Sequence, residues 1–492
     1  MITTALLTLA IVTQDNTSLR AAPRGTAAQQ AALWQGDTLE VRGQRLDYLQ
    51  VYDHRRERAG FVHISQVRQL PTAPQDAPEL LAVVRFLKHN AGSEALGIGY
   101  TAAYLKAAPA ASLDAEVFDA LGTLAERLAR RASLKHPKNV ADVISAHMEV
   151  AAFYGVTFKG YAQGYAKDDA VQLCYNGEAF RRVLSMAAPP ELAAKAALAV
   201  TRHDCMSVDL HPKDRLAHDQ WRAEVLHKIN PAQFAQLSGL SQNRLRLRRA
   251  DVASSLAFQM ARRAEPAAAV AQQAEYALAD LAAIQPTELT DDDAQDHNDT
   301  AIRVGASRWA HSTSASLPVD AAKPPKLAVR TTPGEAGQTC INLFETTTDG
   351  QPSPQPVASR CTYGVVWLQS ANAHPNGQAL ALAVQPLATW REVWVFRKTA
   401  GLWAIDVLPP ASSAPELGYL EFAGWTNSAT HPNTPSMLLA RETRIAGRYK
   451  RSFEVMRLDS LTVDKQASDA SLLAAFGKNQ DASWKRQTVS LR

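Results

Sequence analysis

A series of short apolar runs separated by turn residues constrains the first 70 residues more tightly than any other pattern in this chain. Apolar and polar residues alternate within each run, which is typical of a strand with one buried face. Gly, Pro and Asp occupy the positions between the runs, as tight turns require. The runs and turns fall at residues 17–20, 22–25, 33–41, 48–52 and 60–63. This stretch therefore predicts a small sheet of short strands.

The order of these features resembles the bacterial SH3-like domain. The resemblance rests on a Leu-Arg strand at residues 19–20, a Leu-x-x-Gly-Asp turn at 33–37, a strand that ends at Tyr52, and a Gly-aromatic-Val strand at 60–62. It covers residues 11–67, which is 57 of the 492 residues. The family implies a small β-barrel, usually attached to cell-envelope proteins, that docks a cell-wall peptide or a neighbouring domain.

Four aromatic residues of this module are candidate ligand-binding residues: Trp34, Tyr48, Tyr52 and Phe61. Aromatic rings provide a large contact area at a low cost in conformational entropy. The alternative is that the same rings fill the core of the barrel.

The N-terminal residues have two interpretations. Residues 1–10 are small and apolar, like the central part of a secretory signal, although no Lys or Arg precedes them. We expect either the remnant of a signal or the beginning of the first strand at Ile11 and Val12.

The four cysteines separate into two local pairs, Cys174 with Cys205 and Cys340 with Cys361. An even number of cysteines, segregated by region, predicts two disulfides formed in an oxidising compartment. The alternative is four buried thiols, since free cysteine is commonly buried.

A proline-rich linker at residues 71–78 precedes a region of helical periodicity at 79–285. Glycines and tyrosines interrupt the helical pattern at 154–174, where we expect a hairpin or an irregular insert. The Ser-, Ala- and Pro-rich composition towards residue 325 leads us to interpret residues 286–325 as a second linker.

The last region, residues 326–492, is predicted to be rich in strands and contains an internal repeat. One copy spans residues 363–407 and the other 420–463, each with an aromatic strand, a His-Pro-Asn turn at His374 or His431, and further apolar strands. This pattern resembles the blades of a TolB-like or WD-type β-propeller. Because closure of a propeller takes about four blades or more, an open stack or a sandwich is the competing interpretation.

The sequence contains no motif for a catalytic site. It lacks the Gly-x-Ser-x-Gly elbow and the His-Glu-x-x-His zinc motif. The run Gly97–Ala102 matches a dinucleotide fingerprint only in form, and the acidic run 291–299 lacks the glycine and the final glutamate of a calcium loop. We therefore expect no catalytic residues, no metal site and no cofactor.

Net charge and hydropathy argue against nucleic acid as a partner and against a transmembrane segment. A net charge of +4 is too small to indicate nucleic acid as a partner, and no apolar run of transmembrane length is present.

Together these patterns predict a multidomain α+β protein. Its expected parts are an SH3-like barrel (1–70), the linker 71–78, an all-α domain (79–285), the linker 286–325, and an antiparallel β domain of propeller-like blades (326–492). We expect a periplasmic or secreted protein that binds a cell-wall peptide or an envelope protein without catalysing a reaction. The alternative is an envelope hydrolase with an atypical site in the helical region.

Overall fold

The structure is a computed structural model that describes residues 8–162, 171–207, 209–311, 326–347, 351–412, 415–428 and 434–487. It has a mixed α+β architecture with antiparallel sheets, as the sequence predicts. The chain forms two compact units. Unit 1 comprises Met1–Leu210 and Ile229–Leu237, and unit 2 comprises His211–Lys228 and Ser238–Arg492. The helices of residues 79–285 are therefore divided between two cores.

The strands in chain order are β1 Leu9–Val12, β2 Thr17–Arg20, β3 Gln29–Leu33, β4 Thr38–Arg45, β5 Tyr48–Asp53, β6 Arg58–His63, β7 Val67–Leu70, β8 Phe158–Ala162, β9 Val171–Tyr175, β10 Leu327–Pro333, β11 Thr339–Glu345, β12 Ala358–Thr362, β13 Val365–Ala373, β14 Ala379–Leu387, β15 Trp390–Thr399, β16 Leu402–Leu408, β17 Leu417–Asn427, β18 Pro435–Ile445, β19 Arg448–Arg457 and β20 Val463–Ala467.

The α-helices in chain order are α1 Ala77–Lys88, α2 Glu94–Ala107, α3 Ala115–Ser133, α4 Lys138–Phe153, α5 Glu178–Ser185, α6 Pro190–Val200, α7 Pro212–His227, α8 Pro231–Phe234, α9 Gly239–Arg262, α10 Ala267–Ala282, α11 Asp291–Ser307, α12 Ala474–Asn479 and α13 Ala482–Gln487. Among the described residues, no helix is both long enough and apolar enough to cross a membrane.

The N-terminal strands form one antiparallel sheet in the order β3-β2-β6-β5-β4-β1-β7. Its core is aliphatic, because alternate residues of each strand point inward; the fully buried members include Val12, Leu19, Leu33, Leu39, Val51 and Val62. Ile11 and Val12 belong to β1, so the strand interpretation holds for these two residues, while residues 1–7 of the candidate signal lie outside the described residues. The strand pairing does not establish a closed barrel, and the SH3-like assignment stays a prediction.

The helices of unit 1 pack against this sheet through a shared apolar core. Ile11 and Leu70 of the sheet cluster with Leu80, Val117 and Phe180 from the helices.

Two glycines of α2 are required by close packing. A Cβ on Gly97 would lie 2.8 Å from Leu124 Cδ1, and one on Gly99 would lie 2.7 Å from Ile11 Cδ1. The glycines that imitate a dinucleotide fingerprint therefore lie inside a helix and permit helix–helix and helix–sheet contact.

Buried carboxylates join the helices of unit 1. Glu94 has no exposed surface and lies 2.5 Å from Arg127 Nε, and it also pairs with Arg131. Because both arginines belong to α3, these pairs fix the beginning of α2 against α3.

The hairpin expected within residues 154–174 is present as β8 and β9. Cys174 on β9 forms a disulfide with Cys205, and the Cα atoms are 5.8 Å apart. The bridge closes a segment that contains α5 and α6, as the cysteine spacing predicts.

In unit 2 the helices α7, α10 and α11 pack around the long helix α9, with a core that includes Leu247, Leu281 and Val304. Helix α11 lies in the stretch that we interpreted as a linker. Thr290 caps its N-terminus by accepting a hydrogen bond from the Asp293 N–H, and three aspartates occupy its first turn, where the helix dipole favours negative charge. The acidic run that resembles a calcium loop is therefore the start of a helix.

The repeat copies of unit 2 have the same succession of strands. Residues 363–407 form β13 to β16, and residues 420–463 lead from β17 into β20, each copy as consecutive antiparallel pairs. A short parallel pairing at Trp390 with Gly418 joins β15 to β17, so both copies belong to one sheet. Both copies therefore consist of strands paired in chain order, while their assignment to propeller blades stays a prediction.

A separate sheet of β10, β11 and β12 carries the second disulfide. Cys340 and Cys361 lie directly opposite each other on β11 and β12 and are bonded. Both cysteine pairs therefore follow the sequence prediction, and the described residues contain no free cysteine.

Buried ionic contacts hold the sheet of unit 2 to α11. Arg391 is fully buried and donates hydrogen bonds to the carbonyls of Gly305 and Ala306 at 2.7 and 3.1 Å. Glu421 pairs with both Arg391 and Arg308. These contacts satisfy carbonyl groups at the end of α11 that have no partner within the helix.

Candidate functional site

The outer face of β5 and β6 carries three of the four aromatic residues predicted as a binding surface. Tyr48 and Tyr52 alternate along β5 with the buried residues Leu49 and Val51. Phe61 on β6 lies opposite Gln50, the residue between the two tyrosines on the same face. Because paired residues point to the same side of a sheet, the three rings share one face. We call Tyr48, Tyr52 and Phe61 the aromatic face.

Histidine and arginine side chains extend the aromatic face. The His63 ring meets Tyr48 edge-on with centroids 5.2 Å apart, and the His54 ring lies 4.9 Å from that of Tyr52. The Arg42 guanidinium carbon lies 4.2 Å from the centroid of Tyr52, within the range of a cation–π interaction.

Trp34 lies outside β5 and β6. It follows the last residue of β3, in the turn that leads to β4, where its backbone N–H donates a hydrogen bond of 2.9 Å to Asp37 Oδ2. In the described part of the chain, no ring contact joins Trp34 to the other three aromatic residues.

All four aromatic side chains are half-buried, and none belongs to the core of the sheet. The core is filled instead by aliphatic residues such as Leu39 and Val62. The rings are therefore placed where a ligand can reach them, and their role in binding stays a prediction.

A buried ionic cluster supports the turn beside the aromatic face. Arg55 and Arg56, in the loop between β5 and β6, lie 3.1 and 3.0 Å from the two carboxylate oxygens of Asp37. Arg56 also pairs with the buried Asp53 at 2.8 Å. Burial alone would lower the pKa of Arg56, but the two carboxylates raise it above its usual value. Two arginines at the tip of this hairpin therefore anchor the loop.

The turns of the sheet are also held by residues of α4. His147 is almost fully buried, and its Nε2 lies 2.7 Å from Asp15 Oδ1. Burial would raise the pKa of Asp15, but the hydrogen bond and the charge of His147 hold it below its usual value. Tyr154, just after α4, donates a hydrogen bond of 2.7 Å to the Gly36 carbonyl, and burial raises the pKa of its hydroxyl to about 12.

This arrangement suits non-covalent recognition. Partly exposed rings offer stacking and dispersion contacts. Arg42 and His54, which both pair with Glu40, place charged groups beside the rings. Across the described ranges, no three His, Cys, Asp or Glu side chains are grouped so that they could hold a metal ion.

His374 and Glu149 both make polar contacts within the protein. His374 lies in the turn between β13 and β14, where its Nδ1 is 2.7 Å from Asn376 Oδ1. Glu149 pairs with Arg55 at 2.9 Å. His431, the histidine of the second repeat turn, lies outside the described residues.

Comparison with protein-family models, with curated proteins and with solved structures finds no match to this chain.

Proposed function

We propose that this protein is an exported binding protein that takes up a cell-wall component on the aromatic face of its N-terminal sheet. The observation that carries the proposal is the placement of Tyr48, Tyr52 and Phe61 side by side on the outer side of β5 and β6, while aliphatic residues fill the core.

The geometry supports binding because the rings are partly exposed and their backbone is fixed. Strands β5 and β6 pair along their full length, from Tyr48 with His63 to Asp53 with Arg58. The ionic cluster of Asp37, Arg55 and Arg56 holds the loop that joins them. A rigid backbone beneath aromatic side chains reduces the entropy that is lost when a ligand binds.

The two disulfides support an exported protein. Disulfides persist in the periplasm and outside the cell, whereas cytosolic thiols are normally kept reduced. Each unit contains one of the bridges, so both parts of the chain would gain stability in an oxidising compartment.

The SH3-like resemblance points to wall peptide as the ligand class. The test is co-sedimentation of the full-length protein with purified cell-wall sacculi, before and after the double substitution Tyr52→Ala and Phe61→Ala. Each ring is expected to contribute about 1 kcal/mol or more, so the double variant should bind at least about tenfold more weakly.

Phe86→Ala provides a matched control, since Phe86 is a 69% exposed aromatic residue on α1 of the same unit. This variant should sediment with the sacculi as the parent protein does. Failure of the parent protein to sediment, or equal retention of the double variant, would refute the proposal.

A further inference from the structure

A cavity of about 80 Å³ lies between α7, α9 and α10 of unit 2 and shares no residue with the aromatic face. One part of its wall is apolar and includes Leu226, Val252 and Ala253. The rest carries polar and charged side chains: His227, Arg249, Gln273, Tyr276 and Asp280. A volume of this size holds roughly five water-sized groups, so a ligand would have to be small.

The cavity wall contains both a cation, Arg249, and an anion, Asp280. The Leu226 carbonyl accepts a hydrogen bond of 2.9 Å from an Nη of Arg249, which orients the guanidinium at the wall. The charge of Arg249 acts on the Asp280 carboxyl and lowers its pKa. Both side chains line the same cavity.

For both groups, the effect of burial on the pKa is larger than the opposing effect of the neighbouring charges. Burial raises the pKa of Asp280 even though Arg249, Arg246 and His227 act in the opposite direction. Burial also lowers the pKa of Arg249, against the effect of Asp280. A ligand that brought opposite charges to both groups would favour both charged forms.

We propose that this cavity binds a small zwitterion of the α-amino acid type, with its ammonium group at Asp280 and its carboxylate at Arg249. An α-amino acid carries the two charges a few bonds apart, and a short side chain would contact Leu226 and Val252. Tyr276 and Gln273 add a hydroxyl and an amide at the rim.

Ligands with a single charge fit the cavity less well. A carboxylate alone would pair with Arg249 but would be repelled by Asp280. An amine alone would pair with Asp280 but would be repelled by Arg249. A small molecule with both charges should therefore bind more tightly than a carboxylate alone or an amine alone.

The experiment is isothermal titration calorimetry of the full-length protein with alanine, and separately with acetate and with ethylamine as single-charge probes. Alanine should bind, and each single-charge probe should bind roughly tenfold to hundredfold more weakly, as expected for loss of a hydrogen bond to a charged group. No measurable binding of alanine, or equal binding of either probe, would overturn the proposal.

Variants assign the two charges. Asp280→Asn and Arg249→Gln should each weaken alanine binding by at least about tenfold. Matched controls are Glu275→Gln on α10 and Arg262→Gln on α9, both exposed residues outside the cavity wall, and these should bind alanine as the parent protein does. Binding that survives both cavity substitutions would place the ligand elsewhere.

A third variant tests the cavity without altering a charge. Ala253→Leu would place additional methyl groups into the space beside Val252 and should abolish alanine binding. Circular dichroism and thermal melting of every variant would show that it is folded. Unchanged affinity in folded Ala253→Leu would refute the site.

Discussion

Removal of the Cys174–Cys205 disulfide should destabilise unit 1 by an amount that follows from the length of the loop. The bridge links residues 31 positions apart and encloses α5 and α6. In the chain-entropy treatment, a loop of this length corresponds to about 3.5 to 4 kcal/mol at 25 °C. The double substitution to alanine is the suitable change, because the Cys174 side chain is buried and a serine hydroxyl would require a hydrogen-bond partner.

Native-state hydrogen exchange measures this loss within one unit. The most protected amides of α3 and α5 report the opening free energy of the core that contains Phe118 and Phe180. A loss of about 3.5 to 4 kcal/mol lowers their protection roughly several hundredfold.

The second disulfide provides the matched control. Substitution of Cys340 and Cys361 by alanine removes a bridge of 21 positions from unit 2, and should leave the protection of α3 and α5 unchanged. If the Cys174 and Cys205 double variant lowered protection in α3 and α5 by less than about tenfold, the loop argument would be wrong.

Two further substitutions test the packing of unit 1. Glu94→Gln should reduce the free energy of unfolding by about 2 to 3 kcal/mol in urea titrations, because it removes the buried charge that pairs with Arg127. Burial would raise the pKa of Glu94, but hydrogen bonds and the arginine charges hold it below its usual value. The parent protein should therefore lose the stability that the charged Glu94 contributes as the pH falls below about 4.3. The free energy of unfolding of the variant should fall less over the same pH range. Gly36→Ala should lower the melting temperature far more than Gly92→Ala, since both glycines have φ of +91° but only a Cβ on Gly36 would overlap the Ala95 carbonyl, while nothing lies within 4 Å of one on Gly92. An equal effect of the two glycine substitutions would show that backbone conformation, and not the overlap, decides the cost.

Much of the local structure could be predicted because it depends on neighbouring residues. The alternation of Tyr48 to Tyr52 identifies β5 and its buried positions. The turn residues around Gly36 and His374 fall between strands, and the repeat of residues 363–407 in 420–463 returns as two similar successions of strands. The cysteine pairs could also be predicted from the sequence, because the two cysteines of each pair are close in the chain and far from the other pair.

Helix α11 shows where local composition was misleading. The Ser-, Ala- and Pro-rich composition towards residue 325 suggests a linker, yet Thr290 caps a helix in this stretch, and Ala301 and Val304 of that helix are buried. The position of these apolar residues against α9 depends on tertiary packing, which the linker interpretation did not include.

The sequence by itself predicted the strand-rich and helical regions apart from α11, the local pairing of the cysteines, and the aromatic residues of the first sheet, since periodicity and residue type act over short distances. Only the tertiary structure decided that Phe61 shares a face with Tyr48 and Tyr52, and that Arg249 and Asp280 line one cavity. Those arrangements depend on strand register and helix packing. Both bring together residues that are distant in the chain, and the local sequence pattern does not indicate such contacts.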